Sequence, residues 1–200
     1  MTTADEIRHS LTASAARING QKDLTPHAKR VMLARAYVEA RDGIDALREK
    51  ETKDIQRERQ QLERRLFGTT GFNPDPQLLI AKRDADDRAA KYETPAEARR
   101  ALQRAERDGD SLLAKAIASR AADWSGDPQW GALVREYVAE RPAEAETLKA
   151  MQELPDTDDA VFRLQQAMRY GIATPDGLGE AHRHSVDMLA RQPLDGDAAA

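Results

Sequence analysis

The stretch TPHAKRVMLARAYVEARDGIDALREKETKDIQRERQQLERRL, residues 25–66, decides the architecture. Thr25 is a helix-capping residue, and Pro26 suits the first helical position, where a missing N–H costs nothing. No second proline follows for about forty residues, which predicts a single helix roughly 60 Å long at the usual rise per residue. Leu33, Tyr37, Ala40, Ile44 and Leu47 recur at alternating steps of four and three, the spacing of a heptad seam. Glu51 interrupts the seam, and Ile55, Leu62 and Leu66 resume it after a slip of the kind that locally unwinds a supercoil. Between Arg48 and Arg65 apolar residues are few. Glu49–Lys53 is a favourable i,i+4 ion pair worth about 0.3 kcal/mol, whereas Asp54 and Glu58 repel. A rod of this length exceeds what the remaining residues can wrap. Part of it is therefore expected to project, or to pack on another chain along Leu33–Leu47.

Working outward, Thr3 caps a helix over residues 4–18, with Asp5 and Glu6 in its first turn. Ile7, Leu11, Ala15 (or Ser14) and Ile18 form its apolar stripe, and Asn19-Gly20 stops it. The linker 21–24 is short enough for this helix to fold back on the rod as a hairpin. On the other side, FGTTGFNPDP (67–76) breaks the rod, with Phe67 and Phe72 bracketing a turn they can pin. Short helices follow: 76–92, 95–108 after the capping box Thr94-Pro95-Ala96-Glu97, 111–124, 128–140, 142–154, 158–170 and 178–191. Residues 192–200 read as a disordered tail. The predicted fold is all-α: a helical hairpin and long charged rod (1–66), a loop (67–76), a domain of short helices (77–191) and the tail. Thr94-Pro95 and Asp127-Pro128 each open a helical hairpin, and the first resembles a tetratricopeptide-type hairpin with Ala114, Ala118 and Ala121 as its small residues. The large aromatic and glycine positions of that family are missing and at most two units are present, so these residues read as general packing of alanine-rich hairpins.

Composition bounds the chemistry. The 200-residue chain is 40% hydrophobic, but alanine supplies much of that, and only two Trp, three Phe and four Tyr are present. A chain rich in Ala, Leu, Glu, Arg and Gln favours helices. With no cysteine, disulfides and thiolate zinc sites are excluded. No apolar run approaches the ~20 residues that span a bilayer, and residues 1–10 lack a signal-peptide core, so a soluble, cytoplasmic protein without a membrane partner is expected. The net charge of −4 is unevenly spread: residues 26–66 carry 11 basic and 8 acidic side chains, residues 126–200 carry 7 and 14. The Arg excess over Lys fits phosphate recognition or, more plainly, the codon bias of a GC-rich genome.

No phosphate-binding glycine loop or nucleophile elbow occurs. His182, His184 and Asp187 supply too few metal ligands on one helix face. Asp84, Asp86 and Asp87 sit among Lys82, Arg83 and Arg88 and read as surface ion pairs. Trp124 and Trp130 are expected to seal the core of the helical domain. No enzyme, no catalytic residue, no cofactor and no metal is expected. Residues proposed for protein contact are Leu33, Tyr37, Ala40, Ile44, Leu47, Phe67 and Phe72. Arg57, Arg59, Arg64 and Arg65 give the rod a basic end able to meet nucleic-acid phosphates, although Glu58 and Glu63 interleave with them.

The stretches Leu24-Thr25-Pro26-His27-Ala28-Lys29-Arg30, residues 36–42 (AYVEARD) and Arg64-Arg65-Leu66-Phe67-Gly68 resemble small helical structural and assembly proteins of actinobacterial phages and prophages. The resemblance covers roughly the first 120 residues. It implies a role in head assembly as a scaffold, decoration or minor virion component, with capsid or portal subunits as partners and association with the virion. The expected function is therefore a non-enzymatic assembly protein, self-associating as a homo-oligomer or docking on another protein through helices. The alternative is a nucleic-acid-associated or regulatory protein that uses the basic end of the rod.

Overall fold

The computed structural model describes residues 2–68, 75–124, 126–179 and 182–194. Among the described residues there are nine helices and no strand. They are α1 (Ala4–Gly20), α2 (Pro26–Phe67), α3 (Pro76–Ala89), α4 (Pro95–Asp108), α5 (Ser111–Asp123), α6 (Pro128–Val138), α7 (Pro142–Glu153), α8 (Ala160–Arg169) and α9 (Arg183–Ala190). The chain is all-α, with one long helix of 42 residues followed by shorter ones.

Local chemistry explains most boundaries. Thr3 with Glu6, and Thr94 with Glu97, close reciprocal capping boxes at α1 and α4. Asp75, Asp110 and Asp127 accept backbone N–H bonds at the starts of α3, α5 and α6. Gly109 ends α4 in the left-handed region at φ 72°. The last helix starts at Arg183 rather than near residue 178. Gly177 (φ 101°) and Gly179 (φ 67°) hold a turn there that no helix accommodates. A Cβ on Gly177 would lie 3.0 Å from Leu33 Cδ1, so this turn also needs the bare backbone.

Two compact units emerge: residues up to Asp54 together with those from Asp156 onward, and Ile55–Pro155. The division falls inside α2 and again after α7, not at the 67–76 segment, of which residues 69–74 lie outside the described residues. The reason is packing. Leu66 (1% exposed) and Phe67 (8%) end α2 inside the core of the second unit, so the break that follows them is not a domain boundary.

In the first unit α1 folds back along α2. Ile18 shares a core with Leu33, while Ile7 Cδ1 lies 3.3 Å from where a Cβ of Gly43 would stand. The C-terminal segment supplies the rest: Leu178 and Val186 join Ile18, Leu33 and Ala34. Polar anchors align α9 against α2. Arg41 donates to Asp187 (2.7 Å), Arg183 to Asp45 (2.8 Å) and Arg35 to the carbonyl of Ala190 (2.9 Å). Burial lowers the pKa of the Arg41 guanidinium, but bonds to Asp187 and Asp42 outweigh it and leave the value raised.

In the second unit α5 is central and packs against α3, α4 and α6, with α7 on α6. Its small face (Ala114, Ala118 and Ala121, all fully buried) allows that close approach. Arg141 donates twice to Glu106 (2.9 and 2.8 Å) and stacks 4.2 Å over the Tyr137 ring, joining the end of α6 to α4. The two tryptophans part company, contrary to expectation: Trp130 is buried in this core, whereas Trp124, at the end of α5, is 58% exposed. Lys82–Asp86 (2.6 Å) and Arg88–Asp84 (3.9 Å) place the acidic knot of α3 in surface ion pairs, as its neighbours predicted.

Candidate functional site

The expected docking seam is internal. Leu33, Ala40 and Ile44 are buried in the first unit, and Tyr37 and Leu47 are half-buried there. Phe67 is buried in the second unit, and Phe72 lies outside the described residues. Ile18 of α1 and Val186 of α9 share a core with Leu33, so the chain itself covers that part of the seam, and burying each large aliphatic is worth about 1.5–3 kcal/mol to the fold. The rod is likewise less bare than its composition implies. Lys53–Glu49 (2.5 Å) forms as predicted, and Lys50–Asp54 (2.7 Å) adds a pair that the repulsive reading of Asp54 overlooked.

The basic end of α2 is not one free patch. Arg57 is exposed and already engaged. Arg59 is half-buried and donates to the carbonyls of Leu154 (3.4 Å) and Pro155 (3.2 Å). Arg64 and Arg65 are exposed. The cleft of about 450 Å³ beside Arg64 also carries Glu63, Lys82 and Asp123, so its field is mixed. A row that the sequence analysis did not single out, Arg100, Arg104 and Arg107, lies along the exposed face of α4. Its cleft of about 690 Å³ likewise holds Glu106, Glu136 and Glu140. Asp187, the one carboxylate near His184 on α9, is taken up by Arg41.

The surface that stands out is on α8. Val161 (58% exposed), Leu164 (62%) and Met168 (77%) face outward at steps of three and four, and Ala160 and Ala167 are exposed on the same side. At 100° per residue these five positions form one continuous apolar face. The inward side of the helix holds half-buried Phe162 and Tyr170, but its most deeply buried residue is Gln166 (5%). The helix is thus turned against the usual rule, with its apolar stripe in water and an amide in the interior.

Glu51 explains the inversion. It is the polar residue that interrupts the α2 seam, and the Gln166 Nε2 group donates to Glu51 (3.1 Å) and to Thr52 Oγ1 (3.1 Å). Arg48 Nε donates to Gln166 Oε1 (3.2 Å), so both amide hydrogens and the amide oxygen have partners. Arg169 pairs with the same carboxylate at 2.5 Å. Burial raises the Tyr170 pKa, and the neighbouring Glu51 charge raises it further. Arg8 anchors the end of the helix by donating to the carbonyls of Gly171 (2.9 Å) and Arg169. A polar patch on α2 demands a polar face on α8, and the apolar face is left outside. The sequence signal was available in the i, i+1, i+4, i+7, i+8 pattern over residues 160–168. Which way it pointed depended on Glu51.

Among the described residues no group of three metal-binding side chains converges, and no helix is long and apolar enough to cross a membrane. No family model, no curated protein and no solved structure matches this chain.

Proposed function

We propose that the protein is a non-enzymatic assembly component that works by helix-mediated contact with another polypeptide, through the outward face of α8. The observation that carries the reading is the exposed stripe Val161–Leu164–Met168 on a helix held in register by a fully bonded Gln166. Exposed apolar side chains gathered on a rigid element mark contact surfaces, since leaving them in water forfeits about 25 cal/mol for each Å² of apolar area. The resemblance to phage structural proteins suggests the setting: a scaffold, a decoration or a minor virion component meeting capsid or portal subunits.

Incorporating a photo-activated cross-linking residue at position 164 in cells that make the protein tests the reading. Covalent adducts heavier than one chain are expected from position 164 and not from position 152, an exposed site on α7. An equal yield of adducts from both positions, or none from 164, would refute it.

A further inference from the structure

We infer that α8 pairs with α8 of a second copy of this chain, antiparallel, about a two-fold axis passing near Leu164. The inference rests on the proposed role of the α8 face and names its partner. The face is self-complementary in size. With Leu164 opposite Leu164 of the second copy, Ala160 comes level with Met168 of the second copy and Val161 with Ala167 of the second copy. On either side of the central Leu164 pair a large exposed side chain thus meets an alanine, which lets two helices approach closely. Only the antiparallel direction does this; a parallel pair sets Met168 against Met168 and leaves Ala160 against Ala160.

Charge selects the same direction. Asp156, Asp158 and Asp159 precede α8 and are exposed, while Arg169, which closes it, is paired with Glu51 of its own chain. An antiparallel pair keeps the two acidic ends apart and opposes the two helix dipoles. A parallel pair stacks three carboxylates on three. Arg163, near the middle, lies level with Gln165 of the second copy, and the two Arg163 side chains stand about 3 Å apart along the axis. An isologous contact of this kind closes after two copies and does not propagate into a fibre. A single ten-residue face is far smaller than the roughly 1,200 Å² of a standard stable interface, so the pairing is reversible and follows protein concentration.

The chain contains no cysteine, so one introduced thiol reports its own surroundings. The full-length variants Leu164→Cys, Ala160→Cys and Ala160→Cys/Met168→Cys are oxidised under matched conditions, with Gln152→Cys on α7 as the background. In the proposed pair, position 164 meets itself, whereas the two copies of position 160 are about 12 Å apart along the axis. Thiols whose Cα atoms are more than about 7 Å apart are not bridged, so Leu164→Cys should form linked dimer about tenfold faster than Ala160→Cys. The double variant should regain the fast rate through 160–168 links. Sedimentation of the unmodified chain should show mass rising from 22.2 kDa toward twice that value with concentration. Leu164→Asp, a change at an exposed position, should keep the single-chain mass and its helical circular dichroism.

Equal rates at 160 and 164 would overturn the antiparallel pair. So would a rate at 164 no faster than at 152, or a single-chain mass at every concentration. If the purified chain fails to pair while the photo-probe at 164 captures a different protein in cells, self-pairing is wrong and the assembly role stands. If both fail, both readings fall.

Discussion

Gln166 of α8 and Glu51 of α2, 115 positions apart in the chain, are joined by a hydrogen bond of 3.1 Å that sets which side of α8 meets water. Glu51 breaks an apolar seam, and in an isolated helix it would only weaken pairing. Here it is the reason a buried amide is tolerated, because Arg48 and Thr52 complete the amide's bonding. Buried polar groups are stable only when every partner is present.

Gln166→Leu removes both donors and the acceptor at once while roughly keeping the volume. It leaves Arg48, Glu51 and Thr52 without that partner, and should cost about 1–3 kcal/mol. Urea unfolding measures this. A neutral outcome would mean that Phe162 and Tyr170, not the amide network, hold α8 in place.

Leu33→Ala and Leu164→Ala separate the two kinds of leucine. Leu33 is 1% exposed, so its truncation should cost about 2–5 kcal/mol. Leu164 is outward-facing, and its truncation at dilute concentration should move stability by less than about 0.5 kcal/mol. Equal losses in denaturant titrations would contradict the burial assigned to the α2 seam.

Asp187→Asn tests the tie between α9 and α2. Arg41 is nearly buried and loses a charge-assisted bond to Asp187, keeping Asp42 at 2.8 Å. A loss of about 1.5–3 kcal/mol is expected. Amide hydrogen exchange should accelerate first over Arg183–Ala190, and protection unchanged there would refute the tie.

Tyr137 gives a pH signature. Burial raises its pKa above the ordinary tyrosine value, so the unfolded chain loses this proton before the folded chain does. The stability it contributes is complete below about pH 10 and is lost as the pH climbs through the folded value. Tyr137→Phe should flatten the fall of the urea midpoint above that pH. Identical alkaline profiles for the two proteins would rule this out.

Gly43→Ala sets helix propensity against crowding. Alanine is favoured by about 1 kcal/mol in a helix interior, and the new methyl would stand 3.3 Å from the mobile end of Ile7. A rise in thermal midpoint, equivalent to about 0.5 kcal/mol, is expected. A fall would show that α1 is too firmly seated to shift.

Much of the fold was legible in local chemistry. Thr25-Pro26, Thr94-Pro95-Ala96-Glu97, Gly109 and Asp127-Pro128 mark helix ends through bonds reaching three or four residues, and such bonds need no knowledge of the rest of the chain. The all-α class was read from composition, the fold-back of α1 from the short linker after it, and the surface pairing of Asp84 and Asp86 from the basic residues beside them. The outward turn of Trp124, the division of the chain inside α2, and the covering of Leu33 by Ile18, Leu178 and Val186 were not. Each depends on which distant segment reaches a face first. The candidate site is the sharpest instance. The spacing of residues 160–168 is enough to give α8 one apolar face and one polar face. That the polar face turns inward follows from packing across the chain, because half-buried Glu51 offers a carboxylate that an amide satisfies and a leucine does not.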